Sequence, residues 1–483
     1  MRSRARGHRW PRFGVAILAA ALVAIAAARP STSGGASPET QGAWSAVQDW
    51  PVIAIHSHVL PTGNVLAWGG LEESNYAPEV RLWNPTTGQF VGSFPNTRTN
   101  VFCAGHSFLP DGRLLVTGGH ITPFRGVADI NIFNPFSNTW SAGPTMNAPR
   151  WYPTNVTLPN GEVLIVAGTI TKKKNNKIPQ VLTTSGSLRT LSRAKRGLYT
   201  YPWMHLAPNG RVFMAGPDRS TAYLDTAGTG RWKTVGNRKV SNRREGSMAP
   251  YDVDRILVAG GGNNPTNTAE VIDLSAARPK WRKVSPMASR RRHLNLTTLP
   301  DGTVLASGGT SGKGFNNVRF PVLSAELWNP ATERFTTLAS MRTPRLYHSV
   351  AMLLPDARVL MAGGEGEGGP AQPNAEIFSP PYLFKGARPT ISSTPSTVTY
   401  GQTFFVGTPD AGSIQKVTWI RLQSVTHSYN QDQRINRLTF TPSGGGLNVA
   451  APADPRLAPP GHYMLFILNG SGVPSVSRIV RIS

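Results

Sequence analysis

Seven times along the chain an apolar run reaches a tight polar turn and is followed by a second apolar run that closes in or beside glycine. The phrases are "LPTGNVLAWGG" ending at Gly70, "LPDGRLLVTGG" at Gly119, "LPNGEVLIVAG" at Gly168, "LAPNGRVFMAG" at Gly216, "YDVDRILVAGG" at Gly261, "LPDGTVLASGG" at Gly309 and "LLPDARVLMAGG" at Gly364. Each predicts a β-hairpin, because Pro-Asp-Gly and Pro-Asn-Gly favour turns and the flanking runs suit strands. Most copies continue into a third strand closing in "LWNP", "IFNP" or "IFSP", then a turn and an aromatic on a fourth strand, such as Phe90, Trp140 or Phe335. After "PPYLFKGARP" (380–389) this period stops and alternating strand patterns fill the remainder.

Four antiparallel strands per repeat of about 50 residues is the kelch pattern of a β-propeller blade. The chain is therefore expected to be all-β. A seven-bladed propeller spans 44–386, with the strand near "WSAVQDW" (44–50) completing the last blade, and an immunoglobulin-like β-sandwich follows over 387–483. No long amphipathic helix is expected. Trp83 and Trp328 in the "LWNP" phrases are expected to pack between blades.

The first 28 of the 483 residues carry five arginines and no acid, ahead of an apolar run from Phe13 to Ala28. This reads as a cleaved secretory signal or an uncleaved membrane anchor, followed by a flexible Ser/Gly/Pro leader over 29–43. The protein is thus expected to be secreted or held at the cell surface. The formal charge is +25, and removing the five N-terminal arginines leaves +20. The basic clusters at 172–177, 237–244 and 289–293 lack a nucleic-acid-binding motif and read as solvated loops. An anionic envelope polymer is a better partner than nucleic acid for such a surface. The one cysteine, Cys103, has no disulfide partner in the chain and reads by itself as a small core residue.

A propeller turns register into proximity, since repeat-equivalent positions form a ring about one axis. The position seven residues before the turn proline, or its equivalent, holds Ala54, Cys103, Tyr152, Tyr201, Glu245, His293 and His348. A thiol, two phenols, a carboxylate and two imidazoles are unusual at the start of buried inner strands. Tyr347 adjoins the last of them. Imidazole and phenolate donors suit a tetragonal Cu(II) site better than zinc or calcium; polar side chains bound only to water at the propeller mouth are the other reading.

At these residues the sequence resembles the galactose oxidase and glyoxal oxidase family, the copper radical oxidases, and is closer to the glyoxal oxidase-like members. The similarity runs through "FCAGHSFLPDGRLLVTGG", "RWYPTNVTLPNGEVLIVAG", "RLYHSVAMLLPDARVLMAGG", "THSYNQDQR" and "LAPPGHYMLFILNGSGVPSV". The resemblance implies one copper per chain, held by Tyr152, Tyr347, His348 and His427, the last carried on a C-terminal loop. It implies a Cys103–Tyr152 thioether as the radical cofactor, Tyr347 as proton acceptor, and oxidation of a small substrate by O2 with release of hydrogen peroxide. Two departures bear on the substrate. Ile170 stands where galactose oxidase places the tryptophan that shields its radical, and Thr200 where it places a sugar-binding arginine. They favour a small aldehyde or α-hydroxycarbonyl substrate over galactose. Tyr201, Trp203, Glu245 and His293 are candidate substrate contacts, whereas His56, His58 and His106 are expected along strands or loops. A monomer is expected. The competing functions are a non-catalytic kelch propeller binding envelope polymer and a copper-storing protein.

Overall fold

The computed structural model describes residues 37–70, 79–366 and 368–483. The signal or anchor expected over 1–28, and the leader as far as residue 36, lie outside the described residues. Seven sheets repeat one plan, and their hairpin strands pair as the repeated phrase predicts: His56–Val59 with Val65–Trp68, Gly105–Phe108 with Leu114–Thr117, and so on to Ser349–Leu353 with Val359–Gly363. The turn glycine takes a left-handed φ, 91° at Gly112; in the seventh repeat Ala357 occupies that place with φ 68°.

Each blade lies between two others, so its strands are buried on both faces. That is why "VLIV" (163–166) is continuously apolar: Leu164 and Val166 pack toward the fourth blade, Val163 and Ile165 toward the second. The fourth strands are at the rim and alternate in exposure, as in Gln89–Ser93. Trp328 lies against Tyr251 of the preceding blade, with ring centroids 4.7 Å apart. Trp83 is buried against Trp50, 5.2 Å away.

The seventh blade is closed from the other end of the chain. Ala43–Trp44 and Gln48–Asp49 both pair with its third strand, Asn374–Ser379. Residues 37–43, expected to be part of a flexible leader, instead form a short helix, Pro38–Gln41, and this closing strand. Trp44 anchors them, its ring tilted against Phe378 at 4.9 Å and its indole N–H donating to Ala339 O.

Two of the basic clusters also depart from expectation. Arg238, Arg243, Arg291 and Arg292 are fully buried, not solvated. The cause is a repeated brace. Arg150, Arg243, Arg291 and Arg345 each donate to the carbonyl that ends the second strand of their own blade, at Ala167, Gly260, Gly308 and Gly363. In the last three blades a glutamate on the third strand completes it: Glu270, Glu326 and Glu376 lie 2.9, 2.8 and 3.8 Å from Arg243, Arg291 and Arg345. The same carboxylates accept backbone N–H groups of the incoming segment, such as those of Ala288 and Ser289 at Glu326. These hydrogen bonds and carboxylates offset the cost of burying the charge, although the Nε atoms of Arg150 and Arg345 are left without a hydrogen-bond partner.

Beyond residue 388 a five-stranded and a three-stranded sheet form the immunoglobulin-like sandwich. Its core includes Phe404, Val406, Val417, Trp419, Leu447, Val449, Leu465 and Ile467. The long strand Gly461–Asn469 is apolar on both faces, because Met464, Phe466 and Leu468 point the other way into the propeller core. Among the described residues no helix is long and apolar enough to cross a membrane.

Replacing Arg291 by Met should leave the Glu326 carboxylate buried without its cation and lower unfolding free energy by about 3–5 kcal/mol. Urea denaturation of the two proteins measures this difference.

Candidate metal centre

Six of the seven ring positions have the same backbone conformation. Cys103, Tyr152, Tyr201, Glu245, His293 and His348 take φ of 62°, 61°, 44°, 55°, 58° and 65°, the left-handed region that non-glycine residues avoid. Three backbone hydrogen bonds link five of them from blade to blade: Tyr152 N–H donates to Cys103 O, Tyr201 N–H to Tyr152 O, and His293 N–H to Glu245 O, at 2.9, 2.9 and 2.6 Å. The left-handed turn aims each side chain across the mouth of the propeller instead of along its blade. Ala54, on the first blade, is the exception.

Inside the first blade the chain adds a hairpin from the C-terminal domain. Ser424–Thr426 pairs with His56–Val59, and its two-residue turn is His427–Ser428, with φ of 49° and 64°. Positive φ at both central positions is the pattern of a type I′ turn, where Asn and Gly are usual. A histidine there is strained, and it stands at the tip of the hairpin.

The turn delivers His427 to Tyr152. Its Nε2 lies 2.6 Å from the Tyr152 phenol oxygen; Tyr347 Oη lies 2.8 Å and His348 Nε2 3.5 Å from the same oxygen. Two imidazoles and two phenols therefore converge on one point. Thr426 Oγ1 sits 2.6 Å from His427 Nδ1 and orients that ring, while His348 Nδ1 faces Glu365 Oε1 at 3.9 Å. Burial holds the imidazoles neutral: His348 falls to about 3, and His427 lies well below the usual histidine value. Burial, then Cys103 and Tyr347, push the Tyr152 phenol well above 10. Neutral imidazoles are ready ligands, and a divalent cation would reverse the penalty on the phenols. Among the described residues no group of three or more His, Cys, Asp or Glu side chains converges in this way. The donor set fits Cu(II) and does not resemble a zinc or calcium site.

The Cys103 thiol is buried and interacts with Tyr152 and with Trp151. Trp151 stacks on the Tyr152 ring at 3.5 Å and 13°, and Tyr201 stacks on it at 4.4 Å and 22°. Two parallel rings that close cannot share a face, so Tyr152 is sandwiched between them. The indole missing at Ile170 is thus supplied from the opposite side of the same backbone bridge, Trp151 to Thr169. The signal was in "RWYP", one residue before the tyrosine. Tyr201 also donates to Ala104 O. Glu245, His293 and Trp203 line the surrounding cavity of about 430 Å³ together with Phe315, His120 and Phe124.

His56, His58 and His106 lie on blade strands, the first two on His56–Val59 and the third on Gly105–Phe108. They are fully buried in the channel below Cys103. Cys103 N–H donates to His56 Nε2, which places the His56 proton on Nδ1, 3.1 Å from His106 Nε2. His106 Nδ1–H then donates to Ser424 Oγ at 2.6 Å, and the Ser424 hydroxyl donates to His58 Nδ1 at 3.0 Å. One backbone N–H thereby sets the tautomers of the row.

Two family profiles match the chain: "Glyoxal oxidase N-terminus" over 92–229 and 257–382, and "Galactose oxidase-like, Early set domain" over 388–482. A galactose oxidase of Gibberella zeae is 30% identical over 492 residues, which cover 92% of this chain and 71% of that protein. An aldehyde oxidase, GLOX, of Vitis pseudoreticulata is 31% identical over 443 residues, covering 80% and 82%. Among solved structures, a fungal alcohol oxidase of the AA5 family in complex with copper aligns with a TM-score of 0.84 at 27% identity, covering 92% of this chain and all of that one.

Two measurements check this geometry. Thr426→Val removes the partner of His427 Nδ1 and should weaken Cu2+ binding about 10–100-fold by calorimetric titration. The metal-free protein should also lose stability in acid. His106 and His293 have pKa values of about 3 when folded against about 6.5 unfolded, so the unfolded chain binds more protons as pH falls below 6.5. Each should remove up to about 1.4 kcal/mol per pH unit down to about pH 3, read from urea midpoints across pH.

Proposed function

The chain belongs to the galactose oxidase and glyoxal oxidase family of copper radical oxidases, and from that premise we propose that it is an exported oxidase of small aldehydes or α-hydroxycarbonyls that reduces O2 to hydrogen peroxide. The observation that carries this reading is the convergence of His348, His427 and Tyr347 on the Tyr152 oxygen, with the Cys103 thiol beside that ring. A propeller that only bound envelope polymer, or only stored copper, would need no buried cysteine against a stacked tyrosine. The Arg-rich, then apolar, N-terminal segment supports export.

In this reading Tyr152, Tyr347, His348 and His427 hold the metal, and Cys103 is joined through sulfur to the Tyr152 ring. Copper, when bound, supplies a Lewis acid and a one-electron acceptor. Tyr347 Oη accepts the proton of the substrate hydroxyl. Tyr152, 2.8 Å away, accepts the hydrogen atom from the substrate carbon, so the proton and the hydrogen atom leave to neighbouring oxygens of one cluster. The Trp151–Tyr152–Tyr201 stack keeps water from both faces of the oxidised ring and spreads its spin. For an aldehyde hydrate the balance is RCH(OH)2 + O2 giving RCOOH + H2O2. Thr200, in place of an arginine, leaves no fixed cation for a sugar and supports a smaller substrate.

After copper loading in air the intact mass should fall by two hydrogens, with tryptic peptides containing Cys103 and Tyr152 joined, and glycolaldehyde or glyoxal should then yield peroxide. Unchanged mass with separate peptides would overturn the assignment; activity on galactose alone would overturn the substrate class.

A further inference from the structure

Glu245 is the one carboxylate that both belongs to the left-handed ring and lines the cavity. A glutamate with φ 55° is strained, and strain of this kind persists where the surroundings impose it, often at functional sites. Here they hold the carboxylate from behind. Oε1 accepts the Tyr199 hydroxyl at 2.9 Å and Oε2 accepts Arg292 Nη2–H at 2.8 Å. The Arg292 side chain is wholly buried, its guanidinium also donating to Gly314 O and lying 5.3 Å from the Phe315 ring centroid, whereas the Glu245 side chain retains 13% of its exposure. The cation is behind and the carboxylate is in front. Arg244, the other nearby cation, stacks outside on Tyr199 and faces Asp218 at 3.6 Å.

Each carboxylate oxygen can accept more than one hydrogen bond, so both retain capacity, on a residue that lines the cavity. An acceptor-only group at that place binds hydroxyl donors, and although Arg292 offsets much of its charge at a distance, the carboxylate is the member of the pair that lines the cavity, so an anion in contact with it is disfavoured. We infer that Glu245 is the specificity residue of the pocket, selecting neutral hydroxyl-bearing substrates, such as α-hydroxy aldehydes and small polyols, and rejecting α-oxo acids. This rests on the oxidase reading and adds the charge class of its substrate.

Two arms test it. In the first, wild type and Glu245→Gln are copper-loaded and kcat/KM is measured for glycolaldehyde and glyoxylate. The ratio should favour glycolaldehyde in wild type and fall at least about tenfold in the variant, through a lower KM for glyoxylate. A ratio unchanged within about twofold overturns the inference. In the second, copper-free wild type is titrated with propane-1,2-diol and with glycolate and followed by NMR, which needs neither turnover nor a folded variant. The diol should bind at least about tenfold more tightly than glycolate, and equal or reversed affinities overturn the inference. If no aldehyde is oxidised by either protein while the diol preference holds, the oxidase reading fails and the assignment of Glu245 stands.

Discussion

The inner strands of a propeller end at an axial channel, and their outward backbone N–H groups have no further strand to pair with. Buried donors of this kind must be satisfied or the fold loses stability at each one. Here one segment of the C-terminal domain does so for almost the whole ring. Gln423 O accepts from Val59, Gln431 Oε1 from His106 and Asn155, Asp432 Oδ2 from Phe108, Tyr429 Oη from Met204, and Gln433 Oε1 from Thr298. Ser428 O takes the Ser247 hydroxyl. Residues 423–433, most of them in the polar run "THSYNQDQR", are thus a set of acceptors placed against the inner strands of six blades, and Arg421 fixes Asp432 from 3.4 Å. His427 is at the tip of this segment, so satisfying the channel and placing the last nitrogen donor are one event.

The second constraint is conformational. The ring residues are held against their backbone preference by blade-to-blade hydrogen bonds and by the buried arginine brace two or three residues upstream at Arg150, Arg243, Arg291 and Arg345. The rigid perimeter supports strain at the mouth, where residues of six blades share the left-handed conformation. The histidine row below Cys103 extends the same principle inward: a single amide donor orients a row of rings ending on the hairpin that bears His427.

Much of this was legible because the phrase recurs seven times. The 49 residues from Gly70 to Gly119 and from Gly119 to Gly168 placed Cys103 and Tyr152 on neighbouring blades, and turn chemistry located the hairpins except in the fifth repeat, where "YDVDR" has neither proline nor glycine. What was not legible depended on partners distant in sequence. Arg243 and Arg291 read as solvated because their carboxylates, Glu270 and Glu326, lie 27 and 35 residues away on third strands. The three channel histidines are strand residues, as expected, but their hydrogen-bonded row was not legible because Ser424, which joins two of them, belongs to another domain. His427 is outside the repeat, so only the motif around it could point to it. The indole at Tyr152 stands before the tyrosine in sequence instead of after it, because Trp151 and Thr169 meet at the same backbone bridge.

The hairpin also has a consequence in time. A chain made from its N-terminus acquires Cys103, Tyr152, Tyr347 and His348 before it acquires residue 427, and the hairpin needs the strands of its own domain, as far as Arg478–Ile482, to be held. Until then the inner edges of the blades lack their acceptors and the four donors cannot meet. The cluster is therefore assembled last, and a chain that stops before residue 427 cannot bring its four side chains together.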